Sequence, residues 1–112
     1  MGNITRLKNL MKRAANGESL VIWFLGGSIS QGSLSSTPKT CYAYLVYEWW
    51  KKSFPNAAFS FVNGGIGGTT SHYGGARAWK DVLCYRPDIV TVDFSVNDDA
   101  NEFFEETYEG ML

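Results

Sequence analysis

Trp23-Phe24-Leu25-Gly26-Gly27-Ser28-Ile29-Ser30-Gln31-Gly32-Ser33 decides how the chain is read. An apolar run, Leu20 to Leu25, halts at two glycines, and a serine follows at once. Runs of this kind mark strands buried on both faces, which in parallel sheets end at the carboxyl edge where ligands bind. Paired glycines let the backbone turn tightly and let a reacting group approach it closely. Ser28 is therefore the first candidate for chemistry. The plainer reading is that Gly26-Gly27-Ser28 is only a turn or a helix N-cap.

Outward from this stretch the chain alternates between strand and helix patterns. On the N-terminal side, Ile4, Leu7, Leu10, Met11 and Ala14 recur at helical spacing, and Asn16-Gly17 is a stop. On the other side, a polar loop from Gly32 to Lys39 leads into a predicted helix over Cys41–Phe54. Its apolar stripe is Tyr42, Leu45, Val46 and Trp49, expected in the core, with Trp50 off the stripe. Pro55-Asn56 ends it. A short strand, Ala58–Val62, then enters a stretch carrying Gly64, Gly65, Gly67, Gly68, Gly74 and Gly75. A further helix is expected over Ala76–Tyr85, burying Trp79, Val82 and Leu83. After a turn at Arg86-Pro87-Asp88 comes a third strand, Ile89–Phe94, followed by Ser95-Val96-Asn97-Asp98-Asp99. Phe103, Phe104, Tyr108, Met111 and Leu112 open a further amphipathic segment.

Strand alternating with helix implies an α/β fold with a parallel sheet, because parallel neighbours need crossover connections, each right-handed. In such a fold Ser28, the Gly64–Gly68 loop and Asn97 all lie just past carboxyl ends of strands, where sites form.

Composition narrows the function classes. With 112 residues and a net charge of −1, the chain has no electrostatic footprint for nucleic acid or a membrane surface. No stretch approaches the roughly 20 apolar residues of a membrane span. Leu20–Leu25 is too short for a signal-peptide core, so the cytoplasm is the default compartment, with a secreted parent left open. Cys41 and Cys84 form no disulfide framework and lack zinc-ligand spacing; both are expected to be small buried thiols.

A serine nucleophile needs a base to take its proton and donors for the oxyanion that develops on the attacked carbonyl. Backbone N–H groups in a glycine loop and a carboxamide such as Asn97 suit that task, since they donate hydrogen bonds without competing negative charge. Serine acyl transfer needs no metal or cofactor, and none is expected.

Phe24 to Gly32, Asn63 to Thr70 and Val92 to Asp98 resemble, in order and spacing, the first three blocks of the SGNH (GDSL-like) hydrolases. The resemblance spans about Val21 to Asp98. It implies a flavodoxin-like three-layer α/β/α sandwich and hydrolysis of acyl esters. It also implies Ser28 as nucleophile, with its own N–H, the Gly68 N–H and the Asn97 side-chain NH₂ forming the oxyanion hole. The Gly-Gly-Ser-Ile form is similar to the branch of carbohydrate esterases that deacetylate polysaccharides, so the implied substrate is a carbohydrate or small-molecule ester.

Three departures bear on these expectations. Gly27 stands where the family has Asp, which is expected to alter little in the attack geometry, and Ser95 stands where the third block usually has Gly. The fourth block, an Asp-x-x-His that supplies the base and its orienting acid, is absent. His72, in the glycine loop, is open to lining the cleft or helping a substrate bind and is not expected to act as base, while Asp98 and Asp99 are expected to cap the segment that follows them. Residues 1–112 thus read as the N-terminal part of a single domain, truncated after the third strand and inactive alone. The apolar strand Ile89–Phe94 would then lack a neighbour on one side, an edge that promotes self-association.

Two other readings use the same loops. A flavodoxin-like phosphate- or nucleotide-binding module would use them as anion cradles. However, Ser33-Leu34 follows Gly32 where a P-loop needs Lys-Ser/Thr, and Gly64–Gly68 does not fit G-x-G-x-x-G. A non-catalytic interaction unit, completed by another chain, is the third. Trp50, Tyr73 and Trp79 suit either stacking on sugar rings or core packing.

Overall fold

The computed structural model describes residues 4–98 and 103–111. Three parallel strands, β1 (Ser19–Gly26), β2 (Ala58–Gly65) and β3 (Ile89–Asp93), pair in the order β2-β1-β3. Gly26 at the carboxyl end of β1 lies opposite Gly65 on one side and Asp93 on the other. Successive side chains of a strand face opposite ways. Leu20, Ile22 and Phe24 pack with Leu10 and Ala14 of α1 (Ile4–Ala15) and with Ala43 and Trp50 of α3 (Tyr42–Ser53). Trp23 and Leu25 pack on the other face with Val82 and Phe94, joined by Ala78 of α4 (Ser71–Asp81) and Tyr108 of α5 (Phe104–Glu109). Helices on both faces are the reason β1 is apolar without interruption. The chain is a three-layer α/β/α sandwich.

The connection from β1 to β2 runs through α3 on one face, and that from β2 to β3 through α4 on the other. The two strands flanking β1 are thus reached over opposite faces, which opens a crevice beyond the carboxyl ends of β1 and β3. A single helical turn, α2 (Ser28–Gln31), starts there. At the opposite end of the sheet Asp88 ties β3 to β1: its carboxylate accepts the Val21 N–H at 2.8 Å and pairs with Arg13 at 2.8 Å.

Several expectations are corrected. The buried face of α3 carries Ala43 and Trp50, while Leu45 and Trp49 are exposed. The helix is apolar nearly all round, so periodicity leaves its phase open. Stacking of Trp50 on Phe54 and its contact with Phe59 settle it. The helix expected over Ala76–Tyr85, α4, starts at Ser71, drawing Gly74 and Gly75 inside it. Gly74 belongs there because a Cβ on it would sit 2.5 Å from the Phe94 ring. Trp79 and Leu83 turn outward and only Val82 of that expected trio is buried. Cys41 is buried, its thiol donating to the Pro38 carbonyl, but Cys84 is exposed. Asp99, Leu112 and the side chain of Phe104 lie outside the described residues.

Candidate active site

At the end of β1, the Gly27 N–H donates to the Asp93 carbonyl at 3.1 Å, closing the strand against β3. Ser28 then opens α2. That turn closes at Gly32, whose left-handed φ of 97° allows its N–H to reach the carbonyls of Ser28 and Ile29. Ser28 is half-buried at the head of the turn. Behind it Ser30 is fully buried, its hydroxyl 2.8 Å from that of Tyr42. Burial pushes the Tyr42 phenol above its ordinary value, the Ser30 hydrogen bond opposing this, so the pair forms a neutral floor beneath the turn.

Asn97 arrives from β3. The Phe94 carbonyl accepts the N–H groups of both Asn97 and Asp98, which turns the chain sharply after the strand. The Asn97 side-chain Nδ2 donates to the Thr69 carbonyl at 2.6 Å. A carboxamide nitrogen carries two hydrogens. One is therefore spent on orienting the amide, and among the described residues the other meets no acceptor. Asp98 holds the turn from behind: its buried carboxylate accepts the Ser71 N–H at 2.9 Å, capping α4. The expected capping role is thus real, but the helix capped precedes Asp98 in the chain.

Ser28, Ile29, Phe94, Val96 and Asn97 share one small hollow with Gly27. Its volume is about 10 Å³, room for roughly one water-sized group. Gly27 is buried between the two segments, and a Cβ there would fall 2.8 Å from Asn97 Nδ2. Gly27, where the family has Asp, thus lies directly against the carboxamide. Gly68 does not line the hollow. It sits one residue past Gly67, in the left-handed region at φ +74° with open space beside it. A Cβ on Gly67 would lie 3.7 Å from that of Ser28, so the loop does border the serine. Among the described residues the Gly68 N–H has no acceptor.

His72 lies exposed on the first turn of α4 and makes no hydrogen bond to Ser28. Sequence reasoning missed Gln31, whose side chain accepts the Gly67 N–H at 2.9 Å, and Thr69, which orients Asn97. Only the spacing of Gln31 from Ser28, one helical turn, hinted at the first. Among the described residues no group of three or more His, Cys, Asp or Glu is placed to hold a metal ion, and no helix is long and apolar enough to cross a membrane.

A serine and a carboxamide meeting where β1 and β3 end, beside a glycine loop, is the arrangement of one hydrolase class. Residues 24–111 match the model of the GDSL-like lipase/acylhydrolase family, and the chain belongs to that family. Among solved structures it is similar to a two-domain esterase active on acetylated mannans, also co-crystallised with mannopentaose. The identity is 63% with a TM-score of 0.93, over 98% of this chain and 30% of that one. This chain therefore spans less than a third of that esterase. A variant of the esterase AlinE4 shares the fold at 21% identity and a TM-score of 0.67, over 83% of this chain and 51% of that one. No curated protein sequence matches.

Proposed function

We propose that this chain supplies the nucleophile and oxyanion-binding half of a serine esterase that removes acetyl groups from a carbohydrate, with acetylated mannan the first substrate to test. Ser28 Oγ attacks the acetyl carbonyl and gives its proton to a base. The carbonyl oxygen, now carrying the charge, takes hydrogen bonds from the Ser28 N–H, the Gly68 N–H and the free hydrogen of Asn97 Nδ2. Collapse of the adduct breaks the ester C–O bond, the sugar hydroxyl leaves with a proton, and water then hydrolyses the acetyl-serine.

The observation that carries this reading is the Asn97 carboxamide, fixed by Thr69 with one hydrogen left over, in the same hollow as Ser28. The mannan esterase at 63% identity supports the substrate class. We take the base to be supplied from outside the described residues, among which no imidazole–carboxylate pair reaches Ser28.

The test is acetate release from acetylated mannan by the protein as its gene encodes it. Ser28→Ala should lower kcat by about 10⁴-fold or more and abolish labelling by a fluorophosphonate. The 112 residues produced alone should show negligible turnover of p-nitrophenyl acetate. Undiminished hydrolysis by Ser28→Ala would refute the assignment, and robust turnover by the isolated chain would refute the need for an external base.

A further inference from the structure

We propose that Gln31 is a positioning residue: its side-chain oxygen holds the glycine loop against the Ser28 turn and so sets where the Gly68 N–H points. The proposal rests on the reading of Ser28 and Gly68 given above. Gln31 closes α2, one turn after Ser28. Its Oε1 accepts the Gly67 N–H at 2.9 Å. A Cβ on Gly67 would meet that same oxygen at 2.9 Å and the Ser28 Cβ at 3.7 Å, so nucleophile, amide and loop share one corner.

The rest of the loop is anchored by other means. Asn63 donates to the Ser30 carbonyl at 2.7 Å and accepts the Gly65 N–H at 3.0 Å. The Ile66 N–H reaches the Gly26 carbonyl at 3.0 Å, and the Thr69 hydroxyl donates to the Ile66 carbonyl at 2.7 Å. Between these anchors stand Gly67 and Gly68. Among the described residues the bond from the Gly67 N–H to Gln31 is the one hydrogen bond either of them makes. Two adjacent glycines have more backbone freedom than any other pair, and a Cβ on Gly68 would have nothing within 4 Å. Without Gln31 the peptide between them is free to swing, and a donor displaced by about 1 Å loses on the order of a hundredfold in rate. The bond is solvent-exposed, so losing it leaves Gly67 hydrated rather than orphaned and perturbs folding little. That separates a positioning role from a structural one.

The experiment uses the protein as its gene encodes it, comparing Gln31→Met, which keeps the shape and removes the acceptor, with Gln31→Glu, which keeps an oxygen. For Gln31→Met, kcat on p-nitrophenyl acetate should fall at least tenfold, with KM within about twofold and Tm nearly unchanged. Hydrogen exchange at the Gly67 amide should speed up. Gln31→Glu should restore amide protection and recover most of the lost kcat. A Gln31→Met protein with kcat within about twofold of the parent would overturn the proposal while Ser28→Ala, measured alongside, still reports on the esterase reading. A loss of kcat that tracks a loss of Tm, or no recovery in Gln31→Glu, would overturn it as well.

Discussion

Gly27 is the residue on which the approach of Asn97 to the Ser28 turn depends. Its φ of −87° and ψ of −150° are open to any L-residue, so a side chain there meets no backbone strain. What it meets is Asn97 Nδ2, at 2.8 Å from the Cβ position, on an amide already drawn to Thr69 at 2.6 Å. Gly27→Ala should therefore reduce kcat by roughly tenfold through a displaced donor, with the melting temperature close to the parent's. Steady-state kinetics beside a thermal melt decide the point, and an unchanged kcat would mean that the carboxamide adapts. The resemblance alone gave no sign of this, because it treats the position as a substitution in a motif. The contact exists only once residues 27 and 97 are brought together.

Among the elements, α4 and α5 show how the second layer is locked onto the site. The Asp98 carboxylate caps α4 at Ser71, the Ser71 hydroxyl bonds that of Thr107 on α5, and the Tyr108 hydroxyl accepts the Phe94 N–H at 2.7 Å. Asp98→Ala should cost about 1 kcal/mol of stability in urea unfolding. It should also lower kcat, since the turn bearing Asn97 loses its rear support; a normal kcat with the expected loss of stability would confine Asp98 to capping. Tyr42 beneath α2 and Tyr108 on α5 both hold their protons above the ordinary tyrosine value of 10.0, burial being the main cause in each. The folded chain thus keeps these phenols neutral to higher pH than the unfolded chain does. The stability this contributes is intact below pH 10.0 and disappears as pH climbs through the raised folded values. An absorbance titration of phenolate should show three late-titrating tyrosines, Tyr42, Tyr44 and Tyr108, reduced to two in Tyr108→Phe. Three tyrosines still titrating late in that variant would contradict the assignment.

For the whole molecule, the telling feature is the free side of β3. That strand pairs with β1 alone among the described residues, and beside it runs a trough of about 370 Å³. Leu7 and Leu10 of α1, Val82 and Ala78 near the end of α4, and Ile89 and Val92 of β3 line it. A half-covered apolar edge with unpaired peptide groups is a template for another strand. The 112 residues produced alone should therefore associate as concentration rises. Sedimentation velocity checks this, and a single monomer boundary at every concentration would show the edge to be adequately shielded.

The sequence by itself determined the layer order and the end of the sheet at which chemistry is placed. A continuous apolar run broken by Gly26-Gly27 dictates a doubly covered strand, and a glycine loop and an asparagine after two later runs dictate convergence at the same edge. Those are one-dimensional signals, carried by hydrophobicity and by residues that punctuate the backbone. Tertiary structure alone decided the phase of α3, the glycines hidden within α4, and the small cross-ties from Gln31, Thr69 and Asp98. Apart from the phase of α3, which neighbouring aromatics settle, each of these is a contact between residues distant in sequence, with a distance or an excluded Cβ as its content. No periodicity encodes such a contact, because it exists only after the layers have packed.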